Sequence, residues 1–188
     1  MSDQQFIKNY LQDFIEALKP DDDSVESLIQ VRNLLLEVNS NKKKALIFGN
    51  GGSAAIASHF SVDLTKNAKI KCLNFNEASL ITCLANDYGF EHWAEKAIEF
   101  YGNEGDLLIV ISSSGQSENM LNAAEAARNC NFQSVITLSG FSEDNPLKKI
   151  GDINLWANNK SYNFVENIHQ IWLLAITDLV IGKREYPA

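Results

Sequence analysis

Asp106-Leu107-Leu108-Ile109-Val110-Ile111-Ser112-Ser113-Ser114-Gly115-Gln116-Ser117 places an unbroken apolar run directly before four serines grouped around one glycine. A short run apolar on both faces reads as a strand of a parallel sheet covered on two sides. The residues from 117 onward read as helix. A strand that ends in small hydroxylated residues at a helix start offers N–H groups and hydroxyls to an anion, with the positive end of the helix dipole behind them. The arrangement occurs once more, earlier in the chain. There Ala45-Leu46-Ile47-Phe48 leads into Gly49-Asn50-Gly51-Gly52-Ser53. Two such turns in 188 residues point to a small phosphorylated ligand.

Outward from these turns the pattern is β then α, repeated. Strands are expected at 44–49, 69–74, 106–111, 133–138 and 152–156, and helices at 53–66, 77–86, 90–101 and 117–130. A long final helix is expected from about 161 to 182. Ahead of the first strand, residues 3–19 carry Phe6, Tyr10, Leu11, Phe14, Ile15 and Leu18 at helical spacing. Pro20 and the run Asp21-Asp22-Asp23-Ser24 break that helix and cap the next, whose apolar positions include Val25, Leu28, Val31, Leu35 and Val38. The acidic run reads as a cap in the field of the helix dipole, not as a metal site. The expected fold is a three-layer α/β sandwich with a five-stranded parallel sheet, two N-terminal helices and a long C-terminal helix. One domain would span 1–188, with a helical arm at 1–40 and the α/β core at 41–188. Ligands of such sheets bind at the carboxyl ends of the strands, where both turns sit.

Composition narrows the function classes. A net charge of −8 argues against a nucleic-acid or anionic-membrane surface, since both require clustered Lys and Arg. It leaves room for a phosphorylated sugar held by backbone amides and hydroxyls. No apolar run approaches the roughly 20 residues that span a bilayer. Met1-Ser2-Asp3-Gln4-Gln5 has neither a basic n-region nor an apolar h-region, so a cytoplasmic protein is expected. Cys72, Cys83 and Cys130 are odd in number and set in apolar segments, which reads as buried thiols.

The first turn lacks the Lys of a Walker P-loop and the complete dinucleotide-binding glycine spacing. The segments Gly49–Ser53, His59-Phe60, Asn86-Asp87-Tyr88-Gly89-Phe90, Ser112–Ser117 and Val135-Ile136-Thr137-Leu138-Ser139-Gly140 together resemble the sugar isomerase (SIS) domain family, whose fold is flavodoxin-like. Within it they are most similar to the phosphoheptose isomerases, which convert sedoheptulose 7-phosphate to a heptose 7-phosphate for cell-surface polysaccharides. The resemblance implies that Ser53, Ser112, Ser113, Ser114 and Ser117 hold the phosphate. It implies that Asn50, Gly51, Gly52 and Asp87 line the sugar pocket. It also implies a homotetramer with sites built between subunits.

Aldose–ketose isomerisation removes a proton beside a carbonyl and returns it to the neighbouring carbon through an enediol. That requires a base, commonly a carboxylate, and an acid or metal to polarise the oxygen. His59 and Asp63 are four residues apart and share a helix face, and Glu166 and His169 are three apart on the last helix. The resemblance implies Asp63 as the base, with His59 and Glu166 orienting it or joining it as ligands of a zinc ion. For His59 the alternative is a helix histidine hydrogen-bonded at a subunit interface. His169 reads as a core residue among Val165, Ile168, Trp172 and Leu173. The chain departs from its relatives' pattern at three places. Asp63 stands where Glu is usual, Glu166 where Gln is usual, and Leu174 where the second catalytic His is found. Three readings therefore stay open: a phosphosugar isomerase, a non-catalytic SIS protein acting through a protein partner like the replication-initiator-associating member, and a SIS enzyme for a different activated sugar.

Overall fold

In the computed structural model, which describes residues 1–185, the strands β1 (Ala45–Gly49), β2 (Cys72–Asn74), β3 (Leu107–Ser112), β4 (Ser134–Gly140) and β5 (Ile153–Ala157) form one parallel sheet. Their order is β2-β1-β3-β4-β5. The helices are α1 (Asp3–Ala17), α2 (Asp22–Ser40), α3 (Gly52–Lys66), α4 (Ala78–Tyr88), α5 (Trp93–Tyr101), α6 (Glu118–Asn129), α7 (Pro146–Ile150) and α8 (Tyr162–Ile181). The expected α/β sandwich is the one observed.

Period-two alternation in the central strands assigns the two cores. Ala45, Ile47, Leu107, Ile109 and Ile111 point to a layer built from α2, α3 and α8. Leu46, Phe48, Leu108 and Val110 point to the opposite layer of α4, α5, α6 and α7. All of these strand residues are fully buried. That explains why the runs are apolar without alternation: both faces are covered.

The boundaries differ from expectation where local backbone chemistry intervenes. β2 is confined to 72–74, because Lys69 adopts φ 61° and turns the chain before the strand can begin. β4 continues to Gly140. The five-residue α7, too short to show a period, starts on Pro146 and is capped by Asn145, whose side chain accepts from the Lys148 N–H at 2.8 Å. The acidic run does act as a cap. Asp21 accepts from the Ser24 N–H at 2.7 Å, and that bond holds its carboxyl below the usual range. Of the three cysteines only Cys72 is buried, and burial pushes its thiol up. Cys83 is exposed, against expectation, because α4 buries only Leu84.

Helix α8 is long and apolar enough, by length and composition, to cross a membrane, and it is the only such helix among the described residues. Its apolar side packs instead within this chain, through Phe164, Val165, Ile168, Leu173 and Ile176. His169 lies on the same face, fully buried, and its Nε2 donates to the Ser139 carbonyl at 2.9 Å. This bond ties α8 to the end of β4. Burial lowers the imidazole's pKa to about 4, with the Ser139 bond opposing that shift.

The folded chain therefore holds His169 neutral at pH values where the unfolded chain protonates it. Between about pH 6.5 and 4 the unfolded state binds more protons, so stability falls as pH drops through that window. From pH 7 to pH 5 the loss attributable to His169 is on the order of 2 kcal/mol. Urea unfolding at the two pH values should show that loss in the wild type and a clearly smaller one in His169→Gln. Parallel losses in both proteins would contradict the assignment.

Candidate functional site

β1 and β3 are neighbours in the sheet, with Gly49 opposite Ile111. α3 then leaves toward one layer and α6 toward the other. The crevice where successive helices part to opposite faces is the ligand position of such sheets. A cavity of about 130 Å³ opens there, lined by Asn50, Ser53, Ile111, Ser112, Ser113, Ser114, Ser117, Tyr162 and Glu166. Both turns thus contribute to one cavity, and all five serines assigned to phosphate line it.

The donors around this cavity are largely unspent. α3, α6 and α8 each begin at it, and none has a side-chain cap on its first N–H groups. α1, α2, α4 and α7 are all capped by a side chain, and α5, which begins away from the cavity, is not. Uncapped helix starts leave orphan amides for an anion. Ser117 occupies the cap position of α6, yet its hydroxyl pairs with the Ser112 hydroxyl at 3.0 Å. Ser114 accepts from the Gln116 N–H at 3.3 Å. The Ser113 hydroxyl is buried and has no hydrogen-bond partner. A buried hydroxyl left unpaired in a cavity wall keeps its donor free for whatever fills the cavity.

Neighbouring residues fix the two turns. The amides of Asn50 and Asn119 donate to each other's oxygens, both at 2.9 Å, and Asn119 is buried on α6. Nothing in the sequence marked Asn119, which is 69 positions from its partner. Gly115 has φ 67°, and a Cβ there would overlap the Asn145 side chain. Asn145 in turn donates to Ser139 Oγ at 3.1 Å and to the Ser142 carbonyl at 2.8 Å. The serine turn is therefore braced from behind by the β4–α7 connection. Gly51 precedes α3 as its exposed cap residue. At Gly52 the α8 helix comes close, and any side chain would collide with the Glu166 carboxylate.

The remaining predicted residues divide into two groups. Glu166 belongs with the serines. His59 and Asp63 pair with each other further along α3, Nε2 to Oδ2 at 3.2 Å. Asn67 donates to the other Asp63 oxygen at 3.2 Å. Gln170, which the sequence reading did not single out, reaches His59 Nδ1 from α8 at 3.2 Å. A spacing of four from Glu166, on the same helix face, is the signal in the sequence that marks it. Asp87 lies exposed near the end of α4, within reach of Asn86 and Cys83, and does not line the cavity. Among the described residues no three His, Cys, Asp or Glu side chains gather to hold a metal. Within one chain Glu166 lies at the serine cavity while His59 and Asp63 pair further along α3, so the three are not gathered around one point. Leu174, partly buried on α8, has no polar group to offer.

The SIS domain model matches residues 7–140. A phosphoheptose isomerase of Helicobacter pylori strain P12 is 33% identical over 172 residues, covering 88% of each protein. One from Fusobacterium nucleatum is 36% identical over 155 residues, or 79% of this chain and 78% of that protein. The solved structure of a phosphoheptose isomerase from Neisseria gonorrhoeae superposes with a TM-score of 0.88 at 28% identity, covering 96% of this chain and all (100%) of that one.

Ser113 gives a test that separates folding from binding. Removing an unpaired buried hydroxyl breaks no hydrogen bond, so Ser113→Ala should unfold at the wild-type temperature or above it. Its affinity for a sugar phosphate should fall about tenfold or more, the cost of a bond to a charged group. Calorimetric melting and titration calorimetry read the two effects. Unchanged affinity would remove Ser113 from the site.

Proposed function

The chain belongs to the SIS domain family and to its phosphoheptose isomerase branch, and on that premise we propose that it converts sedoheptulose 7-phosphate to D-glycero-D-manno-heptose 7-phosphate. The observation that carries the reading is the serine-lined cavity at the β1/β3 crevice, with three uncapped helix starts and an unspent Ser113 hydroxyl. It is built for a dianionic group and holds no Lys or Arg. The phosphate docks there. Glu166, the one ionisable carboxyl in the wall, faces the hydroxylated part of the ligand.

Asp63 is the base in this reading. Its carboxylate takes the proton from the carbon beside the ketose carbonyl while the carbonyl oxygen gains a proton from water, and the enediol then takes the carbon-bound proton back on the neighbouring carbon as its other hydroxyl gives up its proton to water. His59 and Asn67 each hold one of its oxygens, so the acceptor is fixed before the sugar arrives. Ten residues of helix separate Asp63 from Ser53, about 15 Å along the axis. We read that separation, and the exposed Asp87, as the mark of a site completed by a second copy of the chain. The outer face of α1 supports association. None of its residues is buried, and Phe6, Ile7, Leu11 and Ile15 are all more than half exposed. A homotetramer is the assembly this reading carries, with residues 1–188 as one SIS domain. The setting is cytoplasmic, in the synthesis of surface polysaccharide.

Leu174 favours a second reading, a phosphosugar-binding protein without turnover, since no acid stands at that position. Purified protein incubated with sedoheptulose 7-phosphate decides between them. The isomerase reading predicts conversion that falls about 10²- to 10⁴-fold in Asp63→Asn, with binding retained. Equal background rates from wild type and variant, with the sugar still bound, would leave the binding protein.

A further inference from the structure

Lys42-Lys43-Lys44 directly precedes β1, and Lys71 directly precedes β2. The parallel register pairs Ala45 with Cys72, and the Ala45 N–H donates to the Lys71 carbonyl at 2.9 Å. Two lysine positions distant in sequence are thereby set side by side at the amino-terminal end of the sheet. A cavity of about 470 Å³ opens there, and all four lysines line it. The serine crevice lies at the other end of these strands, the length of β1 away, about 17 Å.

The lysines crowd together without being matched. Among the described residues Lys44 alone has a carboxylate partner, the buried Asp106. The oxygens of Asp106 are taken up by Lys44 Nζ and by the Lys44 and Asn103 N–H groups. Lys43 Nζ donates to the Glu104 carbonyl at 2.6 Å, which is a neutral partner. Its stem lies over Gly105, where a Cβ would come within 3.2 Å of it. Lys42 and Lys71 are exposed and pair with no carboxylate among the described residues. Lys42 also holds φ 58°, a conformation that favours Gly or Asn. Like charges this close repel, yet four of the sixteen basic residues of an acidic chain stand here. The C-terminus of α2, capped by Asn41, attracts cations, and one ammonium group would satisfy it. Three more have no such reason.

We propose that this cavity is a second anion site, which takes a diphosphate group, either free or carried on a nucleotide. Lysine ammonium groups bind phosphate as compact point charges. Three unmatched ones around one cavity suit two linked phosphates better than a single phosphate. Asn41 and Asn103 add amide side chains to the wall, able to bind uncharged parts of a ligand. The volume falls in the range of small-molecule sites, roughly 300–1,000 Å³, and the concave wall fits a small ligand, not a duplex or a bilayer. No residue of the serine crevice takes part, so the site stands apart from the isomerase reading.

Titration calorimetry with inorganic pyrophosphate, and separately with ADP, tests the proposal on the wild type and on the double variant Lys42→Asn/Lys71→Gln. Both positions are exposed and Asn suits the left-handed turn at 42, so the variant should melt at the wild-type temperature or above it. The wild type should bind pyrophosphate, and more weakly as KCl is raised from about 50 to about 200 mM. The double variant should bind it about tenfold more weakly or worse, the loss of a bond to a charged group. Lys71→Gln alone, which leaves the turn at 42 untouched, should move affinity the same way. Tighter binding of ADP than of pyrophosphate assigns the site to a nucleotide, and the reverse order assigns it to the free anion. No binding of either by the wild type overturns the proposal. So does equal binding by wild type and double variant, which would place the anion in the serine crevice.

Discussion

The parallel pairing of β1 with β3 is the constraint on which the rest of the molecule depends. These strands are 62 positions apart in sequence where they meet, Ala45 with Leu107, and they stay in register to Gly49 and Ile111. Their ends deliver the glycine turn and the serine turn to the same place. A shift of one residue would turn each apolar side chain to the other layer, so the double core locks the register. At the opposite end Lys44 pairs with the buried Asp106, which also accepts the Lys44 and Asn103 N–H groups and pins where the two strands begin. Because α3 and α6 then leave on opposite faces, their N-termini both remain open to the crevice.

In the proposed function, that arrangement is what lets an acidic protein hold a phosphate. No cationic side chain lines the cavity, and the net charge is −8. The attraction is local, from oriented amides and hydroxyls already fixed in place, and it needs no reorganisation when the anion arrives. The same local field explains why a carboxylate is tolerated there. Glu166 sits at the start of α3, where the helix dipole favours negative charge. In the proposed function a sugar phosphate in the cavity would share that field with Glu166.

The fold was legible because its cues are short-range. Leu107 to Ile111 and Ala45 to Phe48 announce strands buried on both faces, and the serine run after β3 marks the wall of the crevice cavity. The burial of His169 was legible for the same reason, from the apolar residues around it on the helix. What escaped depends on how elements cross. Asn119 has no local signal, since its meaning comes from Asn50 across the crevice. Glu166 was grouped with His59 and Asp63 by chemistry, yet the crossing of α8 over α3 places it with the serines. Gln170 and His169 differ in helix phase, which shows its effect only where α8 crosses α3 and β4. One position separates them, and it puts His169 in the core and Gln170 on the α3 pair.

In the proposed reaction one crevice binds the phosphate while Asp63 moves a carbon-bound proton. Its most direct test is incubation of the protein with sedoheptulose 7-phosphate in D₂O, followed by NMR or mass analysis of the recovered sugar. Proton abstraction through an enediol predicts heptose 7-phosphate product, with deuterium at the carbon that receives the returned proton. Sugar that binds to the protein but is recovered unlabelled and unisomerised would contradict it.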